Sequence, residues 1–428
     1  MKKLPTSVEN FKEIIKGDYY YVDKSLIVKD MIDLPGKIKL ITRPRRFGKT
    51  LNMDMMLRFF SMDEEDDLFE GLKIWNEKEI VKDHYHKYPV IYISFKKIKN
   101  PTWDSAYSSI KELLSDTATK YENINTNERL KEKIKLIARK EGDISLFKDA
   151  LYILSQALYD GCGIKPIILI DEYDVPIESA YLNRRKDPDY YDNMIDFMRA
   201  FLTSALKGSD TYFSFAVLTG VYRIAKESIF SGLNNLAVYT VFDNEMADKY
   251  GFTESELVEM LKHYQLSSED KEIINRWYGN YKIGERENLY NPWSVVNYIA
   301  KRIHGLVPPK RAAQKYWVNT SDNQIIIEQI EGNEEIKSMI DKLLQRKEIV
   351  TSVDTSLSLR EIEEDETGVW VLFASSGYLN AKWVDIERYA FWIPNEEIML
   401  FFKESVLRWI NKKTKVRVKK LYDYLDEF

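Results

Sequence analysis

Two short segments of this chain carry residue types and spacings that could do chemistry on a phosphate. In the first, residues 37–50, KIKLITRPRRFGKT, Gly48-Lys49-Thr50 ends a loop and opens a helical pattern. In the second, Asp171-Glu172 closes the apolar run PIILI of residues 166–170. A loop ahead of a helix can aim backbone amides at phosphate. Glycine lets the backbone approach, lysine adds charge, and a hydroxyl can ligate Mg2+. An acid at the carboxyl end of a buried parallel strand can hold that ion through its water. The acid after it can orient an attacking water. The two segments read as halves of one P-loop site for ATP and Mg2+. Lys49 would bind the β- and γ-phosphates, Thr50 and Asp171 would serve the metal, and Glu172 would be the catalytic carboxylate.

The rest of the loop is less regular. Arg43 stands five residues before Gly48, where a P-loop usually begins with glycine. Pro44, Arg45, Arg46, Phe47 and Leu51 complete the candidate phosphate-binding stretch. Arg45 and Arg46 read equally as extra charge near phosphate or as a solvated basic turn. Asp174 reads as a third carboxylate or as a helix or turn cap. Thr219 follows the run YFSFAVL of residues 212–218. In a parallel sheet it would lie between the two motifs, within reach of the γ-phosphate or the water. Arg223 and Lys226 come next, as nucleotide sensors or as surface charges. His84 and His86 lie two apart with no evident third ligand, so Mg2+ is the only metal expected.

The elements that must position these residues can be read from hydrophobic pattern. Strands are expected at 38–41, 90–95, 167–170, 212–218 and 238–242, separated by helical stretches including 51–60 and 190–206. That alternation implies an α/β fold with a parallel sheet covered on both faces. From about residue 251 the pattern turns helical, at 253–263, 267–277 and 292–302. Thr253 and Glu256 form a capping box, and Asn291-Pro292 reads as an N-cap followed by proline at the first helical position. Residues 319–428 form a mixed segment, with strands expected at 368–373 and 390–393 and a winged-helix-like form within reach. The expected division is 1–245 core, 246–318 helical lid and 319–428 C-terminal module.

Bulk properties exclude several classes. The 428 residues carry a net charge of -5, which argues against a globally basic nucleic-acid binder but not against a local patch such as the lysine-rich run 412–420. Cys162 is the only cysteine, so no intrachain disulfide and no cysteine zinc site can form. No apolar run reaches the roughly 18 to 20 residues of a membrane helix, and the N-terminus lacks the apolar core of a signal peptide. A cytoplasmic location is the expectation.

Several further segments carry a resemblance. Tyr21-Val22-Asp23-Lys24, Arg43-Pro44-Arg45-Arg46-Phe47-Gly48-Lys49-Thr50, Leu169-Ile170-Asp171-Glu172-Tyr173-Asp174, Trp277-Tyr278-Gly279-Asn280-Tyr281, Tyr290-Asn291-Pro292-Trp293 and Ser376-Gly377-Tyr378-Leu379 occur in this order. They resemble the AAA-ATPase-like family of bacterial and archaeal proteins, nearly end to end. The resemblance implies a P-loop ATPase with sheet order 5-1-4-3-2 and a catalytic Glu. It also implies tolerance of arginine at Arg43 and a lid motif at Pro292 placed against the nucleotide. Many members continue into a PD-(D/E)XK nuclease, and no such constellation is found in 319–428. ATP hydrolysis coupled to conformational change is the leading expectation, with a DNA or protein partner. A slow, nucleotide-gated scaffold is its rival.

Overall fold

The computed structural model describes residues 1–207, 212–224, 229–230, 232–233, 235–318, 323–332, 334–355, 359 and 366–414. Its centre is a five-stranded parallel sheet: β1 (Ile38–Thr42), β2 (Val90–Ser94), β3 (Ile167–Asp171), β4 (Ala216–Gly220) and β5 (Leu236–Tyr239). The order is β2-β3-β4-β1-β5, the expected order read from the other edge. β1, β3 and β4 are buried at every position, as interior parallel strands must be when helices cover both faces. Register then aligns the functional strand ends. Ile41 pairs with Thr219, and Ser94 with Asp171.

One face of the sheet packs on the helix Lys49–Phe60 and the N-terminal lead-in, through Met53, Met56, Phe59 and Phe11. The other packs on the helices Trp103–Thr119, Ala150–Cys162 and Tyr190–Leu206. That second core runs on without a break into Trp317, Trp370, Phe373 and Phe402 of the C-terminal segment.

β1, β2 and β3 match expectation to within one residue at their ends, and β4 and β5 differ by more. β4 begins at Ala216 rather than 212, so its carboxyl end reaches past Thr219. β5 stops at Tyr239 because Asp243 turns the chain, accepting from the Thr240 N–H at 2.7 Å and from its hydroxyl at 2.7 Å.

Residues 246–318, expected as a helical lid, hold the helices Glu254–His263, Ser268–Tyr278 and Pro292–His304, with a hairpin of β6 (Tyr281–Ile283) and β7 (Arg286–Leu289). Thr253 and Glu256 form the expected capping box, and Asn291 caps the last helix by accepting from the Ser294 N–H at 3.1 Å.

The C-terminal segment has a second sheet, β8 (Ile349–Ser352), β9 (Asn380–Asp385) and β10 (Arg388–Trp392), in order β8-β10-β9. The strand expected at 368–373 is instead part of the helix Glu366–Ser375. An apolar run buried on all sides has no period that separates strand from helix. Here residues Val369 to Phe373 are all at most 2% exposed. This helix directly precedes the β9–β10 hairpin. Most of the basic run 412–420 lies outside the described residues.

Candidate active site

The loop between β1 and its helix is curled by two left-handed residues, Arg46 (φ 66°) and Gly48 (φ 90°). A Cβ at Gly48 would meet nothing within 4 Å, so the dihedral and not crowding calls for glycine there. Lys49 Nζ lies buried and donates to the carbonyls of Arg43 at 2.8 Å and Pro44 at 3.0 Å. Burial lowers its pKa, against the pull of Glu172, Asp174 and Asp171.

The two motifs meet directly. Thr50 Oγ1 donates to Asp171 Oδ2 at 2.9 Å, and Thr219 Oγ1 donates to Asp171 Oδ1 at 2.6 Å. Asp171 is fully buried. Glu172 follows with φ 54°, a conformation costly for a glutamate and of the kind that clusters at functional sites. Its N–H reaches Thr219 Oγ1 at 3.4 Å. Burial, then the neighbouring Asp171, raises the Glu172 pKa.

A cavity of about 610 Å³ opens over these groups, within the range of small-molecule sites. Arg45, Arg46, Phe47, Gly48, Lys49, Thr50, Leu51, Glu172 and Pro292 line it. Arg43, Pro44, Thr219 and Arg223 do not; Thr219 acts from behind the wall, on Asp171. Lys226 lies outside the described residues.

Arg43 has a different job from its neighbours. Its guanidinium is fully buried and donates to the carbonyls of Thr42, Tyr239, Thr240 and Glu245 at 2.8 to 3.0 Å. It stitches the carboxyl ends of β1 and β5 where glycine could not. Arg43→Met should therefore destabilise the fold by about 3 kcal/mol, since buried carbonyls lose charged donors. Urea denaturation reads this, and an unchanged midpoint would refute the stitch.

Arg46 lies over the Trp293 ring at 4.3 Å and pairs with Glu9 at 3.1 Å. Phe47 meets Tyr281 edge-on at 5.1 Å, and its carbonyl accepts from Gly251 N–H at 3.2 Å. The lid thus sits on the loop, with Pro292 both opening its helix and facing the cavity. Asp174 Oδ2 grips the turn after β4, accepting from the N–H groups of Val221 at 2.6 Å and Tyr222 at 2.9 Å. Burial raises its pKa to about 6, and its other oxygen has no hydrogen-bond partner.

Sequence reading missed some of the lining. Lys96, Lys97 and Lys99 follow β2, and Lys24 and Lys249 approach from the lead-in and lid. Lysines and arginines outnumber acids eight to three on the cavity wall, in a chain whose net charge is -5. The available signal was position: Lys96 trails β2 as Glu172 trails β3, and ligands bind beyond the carboxyl ends of parallel strands. Glu178, which pairs with Arg45, had no sequence signal at all.

The donor set suits Mg2+. Thr50 and Asp171 offer hard oxygens, and no cluster of three His, Cys, Asp or Glu ligands exists among the described residues. One hydroxyl and one carboxylate would leave the other positions of an octahedral ion to water and phosphate.

The sheet and the loop define an α/β protein of the P-loop type. The chain belongs to the family described as Predicted AAA-ATPase, whose model matches residues 5–230. A relative from Azotobacter chroococcum mcd 1, described as an uncharacterized protein in the vnfD 5' region, is 28% identical over 432 residues. The match covers 99% of this chain and 74% of the relative. Among solved structures, the Walker-type ATPase PABY2304 of Pyrococcus abyssi is similar at a TM-score of 0.42 and 13% identity, over 94% of this chain and 98% of its own. Drosophila ORC bound to DNA is similar at a TM-score of 0.30 and 8% identity, over 94% and 88%. Family membership supports nucleotide binding and hydrolysis in general terms. Among the described residues, no helix is long and apolar enough to cross a membrane.

Proposed function

We propose that this chain hydrolyses ATP with Mg2+ and couples turnover to movement of its lid and C-terminal segment. The observation that carries this reading is the convergence of Lys49, Thr50 and Glu172 on one cationic cavity, with Asp171 behind its wall and bonded to Thr50. Lys49 would leave its loop carbonyls for the β- and γ-phosphates. Thr50 and Asp171 would hold Mg2+, which neutralises charge developing on the phosphates. Glu172 orients a water. The water oxygen bonds to the γ-phosphorus as the bond to the bridging oxygen breaks, giving ADP and inorganic phosphate.

A route for coupling supports the second half of the proposal. Pro292 and Trp293 open the lid helix at the cavity. Ser294, in the same turn, donates to Glu397 at 2.8 Å. Glu397 is fully buried on the helix Glu396–Thr414 and also accepts from the N–H groups of Tyr316 and Trp317 at 2.6 and 2.7 Å. A shift of the lid helix cannot leave that helix unmoved without exposing a buried carboxylate.

The test is ATP binding and phosphate release by the purified chain with Mg2+, with and without duplex DNA. Steady turnover supports the enzyme, and stimulation by DNA would identify its partner. Tight binding without turnover would favour a nucleotide-gated scaffold instead. The pH profile adds a sign. Glu172 must be charged to take a hydrogen from water, and its pKa is raised above the ordinary 4.5. As pH falls, kcat should decline at a higher pH than an ordinary glutamate would give. A kcat level down to pH 4.5 would remove Glu172 from that role.

A further inference from the structure

Arg45 is the third residue of the phosphate loop, and its guanidinium is engaged by a carboxylate. Its Nη2 reaches both oxygens of Glu178 at 2.6 and 2.5 Å. Glu178 lies on the helix Val175–Asn183, one turn beyond Asp174, and its side chain is 7% exposed against 18% for Arg45. Arg45 also lines the cavity with Lys49 and Glu172, and its charge is felt by both. So a cation at the mouth of a phosphate site has its inner side committed to a nearly buried acid.

The same loop is seamed to the C-terminal segment. Gly377 has φ 84°, and a Cβ there would meet Pro44 Cβ at 2.8 Å. The neighbouring Ser376 is hydrogen-bonded to the Tyr222 hydroxyl at 3.1 Å, and Tyr222 and Tyr378 both lie in the combined field of Arg45 and Glu178. Pro44 and Arg45 are adjacent, so a backbone shift that accompanies release of Arg45 would reach the packing of Pro44 on Gly377.

Resting on the ATP reading above, we propose that Arg45 distinguishes nucleoside triphosphate from diphosphate by exchanging Glu178 for the terminal phosphate, and that this exchange loosens the Pro44–Gly377 seam. A terminal phosphate offers Arg45 a charge-assisted partner in place of a carboxylate, and a diphosphate offers none at that distance along the chain. Arg45 is then a positioning and specificity residue within the chain itself. Its release is how the C-terminal segment registers the third phosphate.

The experiment compares affinities for a non-hydrolysable ATP analogue and for ADP, with hydrogen exchange of residues 372–379 as the second readout. Removing Arg45 alone would strand Glu178, so the informative variant is Arg45→Ala with Glu178→Gln. It should lose about tenfold or more affinity for the analogue beyond whatever it loses for ADP. Glu178→Gln alone should bind the analogue more tightly than the parent, again with ADP unchanged. In the parent, the Gly377 and Tyr378 amides, bonded to Ala374 and Phe373 carbonyls, should exchange faster with the analogue than with ADP. In Glu178→Gln they should exchange fast without nucleotide. Equal losses for analogue and ADP, or exchange that ignores the third phosphate, would overturn the inference while leaving the ATP site standing. A parent chain that binds neither nucleotide would overturn both.

Discussion

Glu172→Gln is expected to bind ATP as the parent does and to hydrolyse it about 10² to 10⁴ times more slowly, the usual worth of a positioned base. The substitution is close to isosteric. It keeps the Glu172 N–H bond to Thr219 and leaves Asp171 with both of its hydroxyl donors. What it removes is the charge proposed to orient water. It also removes a carboxylate that sits beside Asp171 at a cost visible in its raised pKa, so the variant should fold at least as firmly. Calorimetric binding and single-turnover phosphate release separate the two effects. Parental turnover in this variant would show that the water is activated by another group.

Lys49→Ala is expected to abolish measurable ATP binding, a loss of about 100-fold or more. Lys49 is the one lysine of the cavity held within the loop itself, buried and bonded to the Arg43 and Pro44 carbonyls. Those carbonyls mark where its charge waits, and any bound triphosphate must compete for it. The variant strips the loop of its central cation and leaves two carbonyls facing the phosphate. Circular dichroism should confirm that the sheet survives, because Lys49 donates to loop carbonyls and not to the sheet ladder. Parental affinity in a folded Lys49→Ala chain would mean that the nucleotide, if bound at all, sits elsewhere.

Both expectations come from residues legible in the sequence alone. Gly48-Lys49-Thr50 after an apolar run, and Asp171-Glu172 after another, are local signals. Each depends on neighbours a few positions away, which is the range over which sequence pattern speaks. Caps were legible for the same reason: Thr253 bonds Glu256 and Asn291 bonds Ser294, each within one helical turn. The sheet order followed from the family resemblance and is matched by the structure.

The tertiary structure alone decided three other matters. Whether residues 368–373 formed a strand or a helix could not be read, because burial on every side erases the period that distinguishes them. The fate of the three loop arginines was equally hidden. Arg43 turns inward to four carbonyls, Arg45 to Glu178 and Arg46 to Trp293 and Glu9, although they stand close together in one basic run. The third was the distance these contacts span: 133 residues for Arg45 and 202 for the farthest carbonyl of Arg43. Residue type states what a side chain can bond. Only the packed chain brings distant partners within hydrogen-bonding distance, and the desolvation of a buried charge then makes that choice of partner costly to change.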